Sequence, residues 1–108
     1  MHIQYGNTES WEITDIPALD PITVFWQHFA PGKGQITVTC FGQAWTSFWG
    51  AIGDRTVPEF VSELSAQYLR DCLPNNTKKQ DAYLLRISTA VIEAAKKHTT
   101  RPAVSLEK

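Results

Sequence analysis

The segment "PITVFWQHFAPGKGQITVTCF" (residues 21–41) decides how the first half of this chain folds. Apolar residues recur at every second position on both sides of the central glycine–lysine–glycine, and β-branched and aromatic residues are frequent, which is typical of β-strands. One face of these strands carries Ile22, Val24, Trp26, His28, Ile36, Val38 and Cys40. The flexible "GKGQ" supplies a turn, so the segment predicts a β-hairpin. Upstream, "WEITDI" (residues 11–16) predicts a short strand that Pro17 ends.

The segment that follows the hairpin permits two interpretations. After a tight turn at Gly42–Gln43, with glycine at the first central position, residues 44–51 ("AWTSFWGA") are predicted to run back as a further strand. One face of that strand carries Trp45, Ser47 and Trp49, and the other carries Ala44, Thr46 and Phe48. Helical spacing is also present at Trp45, Phe48, Trp49 and Ile52, so a short helix over residues 44–52 stays open as the alternative.

The second half of the chain has helical periodicity. Thr56 is a suitable N-cap, Pro58 fits the first turn, and Glu59 stands three residues after Thr56, which together predict a capping box. The apolar stripe of this first helix is Phe60, Val61, Leu64, Tyr68, Leu69 and Cys72. The helix is predicted to end at "LPNN" (residues 73–76), because proline cannot continue the helical hydrogen bonds.

A longer second helix is predicted from Thr77 to about Lys97, with basic residues in its last turn, where the helix dipole favours cations. Its buried stripe is Leu84, Ile87, Ser88, Val91 and Ala95. The predicted fold class is therefore α+β, an antiparallel three- to four-stranded sheet (a meander) followed by two helices packed on one face. In this prediction residues 1–98 form a single domain, and residues 99–108 form a flexible C-terminal tail.

Composition favours a folded globule over a disordered chain. Of the 108 residues, 43% are hydrophobic and 19% are charged, and the formal net charge is −1. No apolar run approaches the length of a membrane span, and the N-terminus lacks the pattern of a signal peptide. The two cysteines, Cys40 and Cys72, form no CxxC pair. We therefore expect a cytoplasmic protein with reduced thiols and without membrane association.

The charges are unevenly distributed along the chain. The first 30 residues carry four acidic residues and no lysine or arginine, whereas most of the basic residues follow Thr77. One interpretation is attraction between the two ends, within the fold or between subunits. The alternative is a basic face that binds nucleic acid, built from Lys78, Lys79, Arg86, Lys96 and Lys97. That hypothesis requires binding that weakens steeply with salt.

The sequence offers little support for catalysis. The three histidines are dispersed, and "APGKGQ" leads into a strand rather than a helix, so neither a metal site nor a phosphate-binding P-loop is indicated. Asp54 and Arg55 could form a small active site with Asp54 as a base and Arg55 binding an anion, but a structural role of Asp54 in the turn before the first helix is the better interpretation. We predict no enzyme activity, no cofactor and no metal, and keep the Asp54/Arg55 site as the least favoured alternative.

A protein-binding surface fits the composition better. Interface centres are enriched in aromatic residues and arginine. The residues that would form such a contact, so far as they are exposed, are Trp45, Phe48, Trp49 and Arg55. A small core can use the same aromatic residues, and that interpretation remains open beside the interface.

The elements "ITVFWQ", "PGKGQITVTC" and "AWTSFWGAIGDRT", with the following "EF", also carry a resemblance. Together they resemble a family of small proteins encoded by tailed phages and bacterial prophages, over about the middle 40 residues of the chain (22–61). The resemblance brings no catalytic residues with it. It implies an accessory protein in the cytoplasm of a bacterial host, acting on a host or phage protein, and we add a homodimer as a further expectation.

Overall fold

The computed structural model describes residues 1–6, 8–73 and 78–99. Four strands form one antiparallel sheet in the order β1-β2-β3-β4. They are β1 (Glu9–Ile13), β2 (Ile22–Ala30), β3 (Lys33–Cys40) and β4 (Gln43–Trp49). The predicted meander is confirmed in its four-stranded form, and most of the segment that admitted a helix is a strand.

The alternation of side chains gives the sheet two different faces. The face turned toward the helices, here called the inner face, buries Ile22, Val24, Trp26, Ile36, Val38, Cys40 and Trp45. His28 belongs to the same alternating set, but it lies exposed at the end of β2, where a bulge interrupts the pairing. The opposite side, here called the outer face, carries the intervening residues.

The turn between β3 and β4 lies one residue earlier than predicted. Cys40 pairs with Gln43, so the central residues are Phe41 and Gly42 rather than Gly42 and Gln43. Both have positive φ, 50° at Phe41 and 79° at Gly42, the pattern of a type I′ hairpin turn. This turn places an exposed phenylalanine at the tip of the hairpin.

Three helices follow the sheet in the described residues: α1 (Val57–Ser62), α2 (Ala66–Cys72) and α3 (Lys78–Thr99). The capping box is confirmed, since Glu59 N donates to Thr56 Oγ1 at 3.3 Å and Thr56 N donates to Glu59 Oε1 at 2.9 Å. The prediction of one continuous helix between Thr56 and residues 73–76 was wrong. It is divided in two because Ser65 caps a new helix, its Oγ accepting a hydrogen bond from Tyr68 N at 3.1 Å.

The helices pack on the inner face of the sheet, as predicted. Their buried contribution to the common core comes from Val57, Val61, Leu69, Leu84, Ile87, Ala90, Val91, Ile92 and Ala95. The expected cap Thr77 lies outside the described residues, as does the predicted tail beyond Thr99. The division into a domain over residues 1–98 and a tail over 99–108 stays a prediction.

Gly34 allows α1 to approach the sheet closely. It lies in β3 on the inner face, opposite Trp49 of β4 and His28 of β2. A Cβ added there would overlap the Val57 Cγ2 methyl and lie 2.8 Å from Gln27 O. The first turn of α1 therefore occupies the space that a side chain would take, and this contact positions the loop before α1.

Candidate interaction surface

The structure separates the aromatic residues that were predicted to act together. Trp45 is only 6% exposed and belongs to the core, so it is unavailable for contact with a partner. Trp49 lies on the same inner face as Trp45 and is half-buried. Its ring contacts that of Phe60 in a T-shaped arrangement, with ring centroids 5.2 Å apart. Phe48 lies between them in sequence and therefore projects from the outer face, where it is 54% exposed.

Phe48 has an aromatic neighbour that sequence reasoning did not select. The rings of Phe29 and Phe48 lie 6.0 Å apart between centroids, and Phe29 is 53% exposed. Phe29 stands in the bulge near the end of β2. The period-two alternation of the strand assigns Phe29, with Phe25 and Gln27, to the face opposite Trp26, but it does not reveal the contact between Phe29 and Phe48. We call Phe29 and Phe48 the aromatic pair.

Apart from Phe25 and Ala44, the remainder of the outer face is polar and carries few charges. Gln35 Nε2 donates to Gln27 Oε1 at 2.8 Å, and the hydroxyl groups of Thr37 and Thr46 lie 3.2 Å apart. The residues of the four strands that belong to the outer face are Ser10, Glu12, Thr23, Phe25, Gln27, Phe29, Lys33, Gln35, Thr37, Thr39, Ala44, Thr46 and Phe48. The outer face is thus a hydrogen-bonded polar surface with the aromatic pair at one end.

A cleft of about 390 Å³ adjoins the aromatic pair. It lies between the β2–β3 turn and the loop before α1, and Phe29, Lys33, Asp54 and Arg55 are among the residues that line it. The two loops are joined by a hydrogen bond from Ile52 N to Gly32 O, 3.0 Å long. Phe29 therefore connects the outer face with the loop that contains the predicted residues Asp54 and Arg55.

Within the cleft, the two predicted residues are differently engaged. Arg55 Nε donates to Glu63 Oε2 at 2.9 Å, an ion pair between two side chains that are each about half exposed. Asp54 is exposed, in keeping with a turn residue before the helix. The arrangement presents a cation and a carboxylate at the rim of the cleft, while the enzyme alternative remains a hypothesis.

The inner face contains a polar contact between the sheet and α3. Cys40 Sγ lies 3.1 Å from Tyr83 Oη, and the Tyr83 ring meets Trp45 edge-on at 6.3 Å between centroids. Burial, followed by the hydrogen bond with Cys40, raises the pKa of Tyr83 to about 12. Because the contact joins core elements, we assign it a structural role.

The basic residues of the alternative hypothesis have different surroundings. Arg86 Nη2 donates to Pro17 O at 3.0 Å and to Ala18 O at 3.1 Å, so this side chain holds the β1–β2 connection against α3. Lys96 and Lys97 are exposed in the last turn of α3. The side chains of Lys78 and Lys79 lie outside the described residues. Nucleic-acid binding by this set stays a prediction.

No three His, Cys, Asp or Glu side chains come together as a metal-binding group in the part of the chain that the structure describes. Within the same residues, no helix combines the length and apolar character that a membrane crossing requires.

Comparison with known proteins assigns the chain to a family. A family model, Phage_phiTE_072, described as a phage family, matches residues 1–106. Neither the curated proteins nor the solved structures give a match to this chain. The family match covers nearly the whole sequence and agrees with the resemblance seen in the strands and the loop before α1. The chain belongs to this phage family.

Proposed function

We propose that this phage protein acts by binding another protein through the aromatic pair and the adjoining cleft. The observation that supports the proposal is the exposed contact between Phe29 and Phe48 on a sheet face that lies opposite the helices. Each ring leaves about half of its surface in water. Covering that surface with a partner would be favourable, because burial of aromatic surface drives association.

The surroundings of the aromatic pair suit a protein partner. Interfaces commonly combine an aromatic centre with a polar rim, and arginine is enriched among the residues that contribute most. Gln27, Gln35 and Thr46 supply uncharged polar groups beside the aromatic pair, and Arg55 lines the same cleft as Phe29. Family membership favours a host or phage protein as the partner, in the bacterial cytoplasm, with no reaction assigned to this chain.

Affinity capture with matched variants tests the proposal. The tagged wild-type chain, Phe29→Ala/Phe48→Ala and Phe41→Asn are each incubated with lysate of the bacterial host, with and without phage infection and after nuclease treatment. Phe41 is also an exposed aromatic residue but stands in the β3–β4 turn, so Phe41→Asn controls for general loss of aromatic surface. We expect the wild type and the Phe41→Asn control to capture the same single protein, in a constant ratio to the tagged chain. The double variant Phe29→Ala/Phe48→Ala should no longer capture that protein.

Two outcomes would overturn the proposal. Equal recovery by the double variant would show that the aromatic pair does not carry the contact. Capture that disappears after nuclease treatment would favour nucleic acid instead. In that case Lys96→Gln/Lys97→Gln should reduce the dependence of binding on salt. A thermal unfolding midpoint no lower than that of the wild type, in each variant, shows that folding is not the cause of any loss.

A further inference from the structure

The two edges of the sheet differ in how well they are protected against pairing with another strand. Edge strands expose unpaired N–H and C=O groups, and proteins commonly shield them with short length, charges, proline or bulges. β1 has five residues and includes Glu9 and Glu12. β4 has seven residues, "QAWTSFW", with no charged residue and no proline. The β4 edge therefore lacks the usual features that prevent association.

The register shows which backbone groups of β4 point away from the sheet. In a two-residue hairpin the residues that flank the turn form a hydrogen-bonded pair, and such pairs then recur at every second residue. Since Cys40 pairs with Gln43, the residues directed toward β3 are Gln43, Trp45, Ser47 and Trp49. The N–H and C=O groups of Ala44, Thr46 and Phe48 point to the outer edge of the sheet, where no strand of the described residues pairs with β4.

We propose that β4 pairs with β4 of a second copy of this chain, in antiparallel orientation and centred on Thr46. A two-fold axis at Thr46 places this residue opposite itself and places Ala44 opposite Phe48 of the second copy. All three outward-directed residues of each strand then lie opposite an outward-directed residue of the second copy, which provides about six hydrogen bonds. The two sheets become one continuous sheet of eight strands.

The side chains of β4 are complementary in this register. On the outer face the phenyl ring of Phe48 lies beside the small Ala44 of the second copy, and on the inner face the large Trp45 lies opposite the small Ser47. Gln43 lies opposite Trp49, and no like charges meet, because β4 has none. Cross-strand neighbours of this kind stabilise antiparallel pairs. β1 carries Glu9 and Glu12, charges of the kind that protect an edge strand from such pairing.

This proposal does not depend on the proposed function, because the pairing rests on the backbone groups of the β4 edge, and Phe48 adds only its contact with Ala44. It does place two aromatic pairs, one from each copy, on the same outer face of the enlarged sheet.

Thr46→Lys and Ser10→Lys provide the test. Both residues are exposed and lie on the outer face, but Thr46 is on β4 and Ser10 is on β1 at the opposite edge. A lysine at position 46 would face its own copy across the two-fold axis, whereas a lysine at position 10 would not. Sedimentation equilibrium over about 1 μM to about 1 mM covers weak and moderate self-association.

We expect the wild type and Ser10→Lys to reach twice the 12.2 kDa mass of one chain, and Thr46→Lys to remain at the single mass. A wild type that is monomeric over the whole range, or a Thr46→Lys variant that still dimerises, would overturn the proposal. A chain shortened to end at Thr99 is measured in parallel. If only this shortened chain dimerises, the C-terminal residues occupy the edge and the proposal is wrong.

A cross-link tests the register. Opposed residues of a hydrogen-bonded antiparallel pair have Cα atoms about 5.5 Å apart, which suits a disulfide. In a Cys72→Ser background, Thr46→Cys should form a covalent dimer with oxidised glutathione, whereas Ser10→Cys should not. Equal cross-linking of both variants would contradict pairing centred on Thr46.

Discussion

Phe25 and Trp26 are neighbours in β2, yet they lie on opposite faces of the sheet. Trp26 is 1% exposed and contacts Trp11 edge-on, with ring centroids 4.8 Å apart. Phe25 lies on the outer face, half-buried between β1 and β3. The difference follows from the period of two in a strand. It teaches that aromatic content alone does not identify a binding surface, because one strand can supply both the core and the exposed face.

Truncation of Trp26 should have the largest effect on stability. Trp26→Ala removes a fully buried ring and leaves a cavity between the sheet and the helices, so we expect the free energy of unfolding to fall by about 3–5 kcal/mol. Urea unfolding followed by circular dichroism measures this loss.

Phe25→Ala is the control in the adjacent position of the same strand. It removes a ring that water already reaches in part, so we expect a clearly smaller loss, about 1 kcal/mol. Equal losses for the two variants would contradict the division of the sheet into a core face and an accessible face.

Gly34→Ala tests the inner face at a position without a side chain. The added methyl would overlap Val57 Cγ2, and it would lie too close to the backbone oxygen of Gln27, so α1 must move. We expect a loss of about 1–3 kcal/mol in the free energy of unfolding, as for other overpacked sites.

Gly6→Ala is the matched control, because a Cβ at Gly6 meets no heavy atom within 4 Å. Its unfolding midpoint in urea should remain that of the wild type. An unchanged midpoint for Gly34→Ala as well would mean that α1 can move away from the sheet without cost.

The two faces of β2 and β3 could be predicted from the sequence because the period-two pattern is strong there. The break between α1 and α2 could not be predicted from the apolar stripe, since that stripe continues through the break. Ser65 was its local signal, and its effect depends on competition between capping and helix continuation. Trp45 was assigned to a contact because the composition of a strand does not say which of its faces meets the helices.

A smaller loss of folding stability should appear when pH is raised through the range in which Tyr83 ionises. The pKa of Tyr83 in the fold is about 12, against an ordinary value of 10, chiefly because burial disfavours the phenolate. The folded state therefore favours the neutral phenol. The stabilisation is fully present below pH 10 and is lost as pH rises from 10 to 12.

Tyr83→Phe isolates this contribution from the other groups that titrate at high pH. The difference in unfolding free energy between wild type and variant, measured by urea unfolding from about pH 8 upward, should shrink above pH 10. A constant difference would show that the phenol of Tyr83 ionises as readily in the folded as in the unfolded chain.

The smallest expected effect has the opposite sign and concerns an aromatic residue outside both faces. Phe41 stands in the β3–β4 turn with φ of 50° and is 76% exposed, so its ring contributes little burial while its backbone adopts a left-handed conformation. Phe41→Asn creates Asn-Gly, the dipeptide that type I′ turns prefer, and should raise the free energy of unfolding by about 0.5–1 kcal/mol. Thermal unfolding should show a higher midpoint for Phe41→Asn than for the wild type. Phe48→Asn, at an exposed strand position, should show no increase in midpoint.

A lower midpoint for Phe41→Asn would mean that the ring has a packing role despite its exposure. A higher one would separate two kinds of exposed phenylalanine, with Phe48 held in a favourable strand conformation and Phe41 retained at a cost in stability.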